Sequence, residues 1–269
     1  MAALVSIVIL VGGSTPEGNA EHRYLVDAFL ERFGDRVTRI VTAEPVKRSF
    51  GTRLKRMLKR GNYAERLARW RYPGGYGPDP ADLQRLLRPD ESTPQMPGGA
   101  RRVHLPSHNG PECEAILEAD QPDVIVVYGT SIIRSNIFSK ARIITLNMHT
   151  GLSPWYRGDS TLFWPVFYNE PERLGVTVHE LVESVDGGAI AATAAVHYEP
   201  GDREAQLFAK GVRAGTQLYL DSVTAALNGT LECQPQDLSI GHEFRWKDRT
   251  VAAERQVIAN FEQWEGASS

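Results

Sequence analysis

Ser6-Ile-Val-Ile-Leu-Val-Gly-Gly-Ser14 is the stretch on which the fold turns. Five β-branched or aliphatic residues in a row, with no polar alternation, read as a strand covered on both faces. The two glycines that follow allow a tight turn at its end. Working outward, residues 19–33 place Leu25, Val26, Phe29, Leu30 and Phe33 at helical spacing, and Gly34 stops the helix. Residues 37–42 form a second strand. Strand, helix, strand is how a parallel α/β sheet begins.

The same grammar returns later. Residues 123–130 are a buried strand ending at Gly129, and 143–149 are another, with polar groups at its carboxyl end. Residues 175–179 and 189–196 add two more. Helices are expected at 111–119, 204–227 (stopped by Asn228-Gly229) and 251–264. The fold class is therefore α/β: a Rossmann-like, open, mostly parallel sheet with helices on both faces. The main domain spans 1–230, and 231–269 form a small C-terminal extension. Residues 45–100 interrupt the pattern as an insertion rich in basic residues, Pro and Gly, with helices at 53–67 and 82–87. Between Lys47 and Tyr72 it gathers ten Lys or Arg against one acid, Glu65. A solvated helix face explains such a run, and so does a patch that attracts an anionic substrate.

Bulk properties narrow the function. The chain has 269 residues, 42% hydrophobic and 23% charged, with a net charge of −3, as in an ordinary globular protein. That balance gives no general attraction to nucleic acid, so no nucleic-acid partner is expected. No apolar run reaches the roughly 20 residues of a membrane span, so no membrane is expected. Residues 1–12 lack the basic leader of a signal peptide. Cys113 and Cys233 are too far apart for a zinc motif or a disulfide framework, and the expected compartment is cytoplasmic. The sequence leaves room for a homodimer.

The chemistry concentrates in Leu146-Asn-Met-His149-Thr-Gly-Leu-Ser-Pro154-Trp-Tyr156-Arg157-Gly158 and in Gly175-Val-Thr-Val-His179-Glu-Leu-Val-Glu-Ser-Val-Asp186-Gly-Gly-Ala-Ile190. Asn147 and His149 are two apart on an extended chain, so they share a side. Asp186 precedes two glycines that let backbone approach a ligand. Ligands of open parallel sheets bind beyond the carboxyl ends of the strands. The turns after Val11, Tyr128 and Leu146 open on that side together. An amide, an imidazole and a carboxylate, with no serine or cysteine nucleophile, suit direct transfer to an amine and not a covalent acyl-enzyme. No ligand-spaced His/Cys/Asp/Glu cluster is present, so no metal is expected. A complete Gly-x-Gly-x-x-Gly is also absent, which removes the dinucleotide signature.

These motifs resemble the formyltransferase family that includes glycinamide ribonucleotide transformylase, methionyl-tRNA formyltransferase and the sugar N-formyltransferases. The family's Asn-x-His appears as Asn147-Met148-His149, and its Tyr/Phe-Arg/Lys-Gly as Tyr156-Arg157-Gly158. The Gly-Val-Thr-x-His strand and the Asp-x-Gly loop appear at 175–179 and 186–188. The likeness covers roughly 104–230, and more weakly 1–40. It implies a folate-dependent transferase with 10-formyltetrahydrofolate as co-substrate. Asn147, His149 and Asp186 would be catalytic. Tyr128, Gly129, Ser131, Ile132, Ile133, Val182, Val185 and Asp186 would bind the folate. Gly12, Gly13, Ser14, Tyr156, Arg157 and His179 would meet the acceptor.

The acceptor implied is a small-molecule primary amine, either a nucleotide-linked amino sugar or a specialised-metabolite amine. About 40 residues after the 204–227 helix are too few for the barrel-like domain of the tRNA enzymes. The loop from Gly12 to Asn19 carries extra residues and Glu17, unlike the phosphate loop of the glycinamide ribonucleotide enzymes. A formyltetrahydrofolate deformylase shares the three catalytic residues and ranks below transfer, as does glycinamide ribonucleotide formyltransferase. A nucleic-acid-binding module built on 47–72 with Trp70 and Tyr72 ranks third. Arg53, Lys55 and Arg56 are the residues expected to draw an anionic acceptor.

Overall fold

The computed structural model describes residues 5–13, 15–44, 63–72 and 76–267. Its centre is β1 (Ile7–Val11), whose five side chains are all buried. Ile7, Ile9 and Val11 enter one core and Val8 and Leu10 another, on opposite faces of the strand. The uninterrupted aliphatic run in the sequence is the consequence of that double coverage.

Helix α1 (Ala20–Phe33) returns the chain along one face, burying Leu25, Val26 and Phe29. It ends at Gly34, whose φ of 55° suits a residue without a side chain. The strands β2 (Val37–Ala43), β3 (Arg102–Leu105), β4 (Val124–Tyr128), β5 (Ile144–His149), β7 (Gly175–Glu180) and β8 (Ile190–Ala195) complete a seven-stranded sheet in the order β3-β2-β1-β4-β5-β7-β8. Strands β3 to β5 are mutually parallel, while β7 lies antiparallel to both β5 and β8. Strand order reverses between β1 and β4, and a crevice opens beyond their carboxyl ends. There Gly12 donates its N–H to Tyr128 O at 3.0 Å.

Two helices of the insertion are described. Helix α2 (Tyr63–Arg71) ends later than the expected 53–67, and residues 45–62, with the expected start, lie outside the described residues. It docks at the C-terminal end of the chain, where Glu65 accepts the Val251 N–H at 3.1 Å. Helix α3 (Pro80–Leu87) starts two residues earlier than expected because Asp79 caps it, accepting the Ala81 N–H at 2.8 Å. Its Leu83 and Leu87 join the core under α1. On the opposite face of the sheet lie α4 (Pro111–Asp120) and the short α5 (Ser135–Phe138).

Helix α7 (Glu204–Leu227) crosses the α1 face. Its Tyr219 is fully buried and accepts the Val127 N–H through its hydroxyl at 2.8 Å, pinning the helix over β4. The rest of the chain joins a second aromatic core. Strand β6 (Tyr156–Gly158) pairs in parallel with β9 (His242–Phe244), and α6 (Phe163–Phe167) packs on the closing helix α8 (Val251–Ala267). Trp164 stacks on Phe244 with ring centroids 4.2 Å apart. Buried Arg249 holds this corner, bonded to Glu204 and Glu254 with its guanidinium 4.0 Å over the Phe163 ring. The stretch expected to be a small extension thus shares a core with residues 156–207.

Candidate active site

Strand β5 presents Asn147 and His149 on one face, while Leu146 and Met148 point into the core. The antiparallel neighbour β7 sets His179 opposite Asn147 and Thr177 opposite His149. Asp186 reaches the same spot from the loop after β7. It adopts φ 45°, a left-handed conformation that the following Gly187-Gly188 helps to accommodate. Gly188 lies so close to β7 that a Cβ there would sit 1.8 Å from Glu180 O.

The three groups meet. Asp186 Oδ2 lies 3.3 Å from His149 Nδ1 and accepts the Gly158 N–H at 2.8 Å. Its Oδ1 lies 3.4 Å from His179 Nε2 and 3.5 Å from Asn147 Nδ2. Burial alone would raise the Asp186 carboxyl. The His149 charge and the Gly158 N–H outweigh it and hold the carboxyl well below the usual range. Asp186 is thereby kept ionised. On its other side, His149 Nε2 contacts Tyr156 O at 2.8 Å. That imidazole faces a carbonyl and a carboxylate, two acceptors, so the site suits a ring bearing hydrogen on both nitrogens. His179 Nδ1 sits 2.8 Å from Glu180 O, which leaves Nε2 to receive Asn147 Nδ2 at 3.1 Å.

Above this group lies a cavity of about 380 Å³, between the turn 129–133 and the loop 181–186. All eight residues expected to bind folate line it: Tyr128, Gly129, Ser131, Ile132, Ile133, Val182, Val185 and Asp186. Ile132 is 70% exposed, whereas Ile133 is buried and also belongs to the core. Asn109 braces this turn, donating to Ile132 O and accepting from Arg134 N, both at 2.8 Å. A second cavity of about 490 Å³ adjoins it, sharing Tyr128 to Ser131 and Thr150. Gly12, Gly13, Glu21, His22, Glu44 and His108 line its far side.

The residues expected to meet the acceptor divide. Gly12 and Gly13 line the second cavity, and Ser14 lies outside the described residues. Arg53, Lys55 and Arg56 of the basic run also lie outside them. Tyr156, Arg157 and His179 line neither of these two cavities. Pairing of β6 with β9 turns Tyr156 into the aromatic core, stacked on Phe244 with its hydroxyl bonded to Glu170. Arg157 is buried and donates to Leu238 O at 3.2 Å. His179 is 1% exposed beneath Asn147 and Asp186. The Tyr-Arg-Gly motif acts through its backbone: Tyr156 O meets His149 and Gly158 N–H meets Asp186.

Two contributors were not singled out by sequence reasoning. A Cβ on Gly151 would sit 2.5 Å from His149 Nε2 and from Thr161 Cβ, so the glycine makes room for the imidazole. The Gly two residues after His149 was the available signal. Thr161 lines the cavity and donates to Thr150 O at 2.7 Å.

The profile of a family described as formyl transferase matches residues 77–223. A methionyl-tRNA formyltransferase of Chlorobium chlorochromatii is 30% identical over 146 residues, which cover 52% of this chain and 46% of that protein. The chain therefore spans about half the length of the curated relatives it matches. Among solved structures, an N-formyltransferase of Helicobacter canadensis in complex with folinic acid and dTDP-3-aminofucose aligns with a TM-score of 0.56 and 16% identity, over 96% of this chain and 80% of that one. Glycinamide ribonucleotide transformylase 1 of Symbiobacterium toebii aligns with a TM-score of 0.56 and 17% identity, over 88% of this chain and 96% of that one. At these identities the structural likeness is one of fold. With the family profile covering more than half of its length, the chain belongs to the formyl transferase family.

Proposed function

We propose that the protein is an N-formyltransferase, moving the formyl group of 10-formyltetrahydrofolate to a primary amine of a small molecule. The observation that carries this reading is the convergence of Asn147, His149 and Asp186 within 3.3 to 3.5 Å at the floor of a cavity that opens into a second one. The first cavity has apolar walls from Ile132, Ile133, Val182 and Val185 and a polar floor. Such a lining fits a flat heteroaromatic ring with a polar edge. The second cavity gives the amine its approach.

The amine nitrogen attacks the formyl carbon, and negative charge develops on the formyl oxygen. Asn147 Nδ2 supplies the directional hydrogen bond to that oxygen with the hydrogen that its long 3.5 Å contact to Asp186 Oδ1 holds only weakly. One such donor contributes about 2.7–4 kcal/mol. His149 has both nitrogens engaged, so it acts chiefly through its charge beside the oxygen, held there by Asp186 and Tyr156 O. Asp186, ionised, receives the proton that the amine sheds, directly or through a water, and its low basicity passes that proton on to the folate nitrogen. The bond from the formyl carbon to the folate nitrogen then breaks, and that nitrogen receives one proton. The sum is one carbon–nitrogen bond broken, one formed and one proton moved.

The acceptor class we propose is a nucleotide-linked amino sugar or a specialised-metabolite amine. The Helicobacter canadensis structure, with its aminofucose nucleotide, supports it. Thermal shift with tetrahydrofolate and 5-formyltetrahydrofolate tests the cofactor half, since a ligand at 100 times its dissociation constant stabilises by about 2.7 kcal/mol. Turnover against a panel of amines tests the other half, with a nucleotide-linked amino sugar, glycinamide ribonucleotide and initiator methionyl-tRNA in separate arms. No stabilisation by millimolar folate contradicts the proposal.

A further inference from the structure

The carboxylate of Asp186 owes its place to a segment that lies outside every motif named above. Three contacts fix it: the Gly158 N–H, His149 and the Asn147 side-chain amide. All three need the 186–188 turn to stand at one height over β5 and β7. Glycine packing against Glu180 O sets the turn from one side. From the other side, Gln236 donates through the same Nε2 to Asp186 O at 2.8 Å and to Gly188 O at 2.5 Å. An amide nitrogen has two hydrogens, and here each finds a carbonyl at one end of the turn. Among the described residues the buried Gln236 Oε1 has no hydrogen-bond partner, so the two carbonyls dictate how the amide lies.

Gln236 is itself fastened on both flanks. Gln234 exchanges two backbone hydrogen bonds with Ile190, each 2.8 Å. Leu238 O receives Arg157, and beyond it β9 pairs with β6. The segment 234–244 therefore runs as a strap from the start of β8, across the Asp186 turn, to the strand whose Tyr156 O and Gly158 N–H hold His149 and Asp186. It links the two backbone supports of the catalytic pair.

We propose that Gln236 is a positioning residue for Asp186, and that the strap 234–244 is part of the active site. The proposal rests on the reading of Asp186 as the group that takes the amine's proton. Gln236→Met keeps the length of the side chain and removes both donors. Gln236→Glu keeps length and polarity and turns a carboxylate toward two carbonyls. A side chain needed only to fill space would be replaced well by methionine. A donor would be replaced by neither.

The experiment measures kcat, the KM of each substrate and the titration of Asp186 in both variants. The Asp186 signal is the ¹³C carboxyl resonance missing from Asp186→Asn. The groups facing that carboxylate are Asn147 and His149 from β5, His179 from β7 and the Gly158 N–H from β6, and all four are retained. The expected result is a kcat at least tenfold lower, KM values within threefold, and an Asp186 signal that titrates at higher pH than in the wild type. If Gln236→Met does not fold, Gln236→Leu, which also lacks both donors and adds no charge, carries the same test. Wild-type kcat and an unmoved titration in a folded variant overturn the proposal. If the wild-type protein transfers no formyl group, the functional reading fails by itself. The carboxyl titration then still decides whether Gln236 holds Asp186.

Discussion

Replacing Asp186 with asparagine changes one oxygen for an NH2 and removes one charge. The amide oxygen has to stay on the Gly158 N–H, which now bonds Oδ2 at 2.8 Å. The new NH2 then turns toward His179 Nε2 and Asn147 Nδ2, where Oδ1 stood at 3.4 and 3.5 Å. Two amide nitrogens compete for one imidazole acceptor, and Asn147 loses its fixed orientation. The opposing charge 3.3 Å from His149 Nδ1 also disappears. At an effective dielectric near 20, Coulomb's law gives that attraction an order of 4 kcal/mol. Some of this returns because a buried carboxylate no longer has to be desolvated. The loss of the proton acceptor alone corresponds to 10²–10⁴ in rate. We expect kcat to fall about 10³-fold with the fold retained, measured as tetrahydrofolate released per active site and checked by circular dichroism. Stability changes with a defined sign. A carboxyl held below its ordinary value of 3.8 stabilises the protein above that pH, and the contribution fades as pH falls further. In urea melts the wild type should therefore exceed the variant at pH 7, with the gap narrowing below about pH 4. A variant with more than a tenth of wild-type kcat, or a gap that does not narrow in acid, refutes this account of Asp186.

Gly12→Ala places a Cβ 1.8 Å from Gly129 O, backbone against backbone, and should cost about 3 kcal/mol or more in urea unfolding. Gly151→Ala pushes a methyl against His149 Nε2 and Thr161 and should lower kcat at least tenfold, while tetrahydrofolate affinity by calorimetry stays within threefold. Arg249→Met leaves the half-buried carboxylate of Glu204 and the buried one of Glu254 without their cation and should destabilise by about 3 kcal/mol. Burial already raises the Glu204 carboxyl, despite Arg249. That loss should shrink as pH falls and the Glu204 carboxylate takes up a proton.

The central sheet is legible in the sequence because its strands are covered on both faces. Ile7–Val11 and Val124–Tyr128 have no solvent side to introduce polar alternation. Strand β3 escapes because it is an edge of four residues, with Arg102 and His104 interrupting the apolar pattern. Strands β6 and β9 are three residues each and exist through their pairing, which no local period announces. Asn147, His149 and Asp186 are legible through their spacing and residue types. Tyr156, Arg157 and His179 come from the same motifs, yet they support the site from within. Sequence shows which residues lie near a centre but not which side of the backbone faces it. Gln236 could not be read at all, since its contact with Asp186 spans 50 residues and uses only backbone carbonyls.

The most direct measurement is to follow one carbon. The protein is incubated with 10-formyltetrahydrofolate labelled with ¹³C in the formyl group and with a panel of primary amines, and the products are read by NMR and mass spectrometry. A small-molecule amine should acquire the label as an N-formyl group, at a rate that collapses in Asn147→Ala, His149→Ala and Asp186→Asn. Label recovered only as formate, or transfer that survives the loss of His149, would contradict the claim that this site moves a formyl group to an amine.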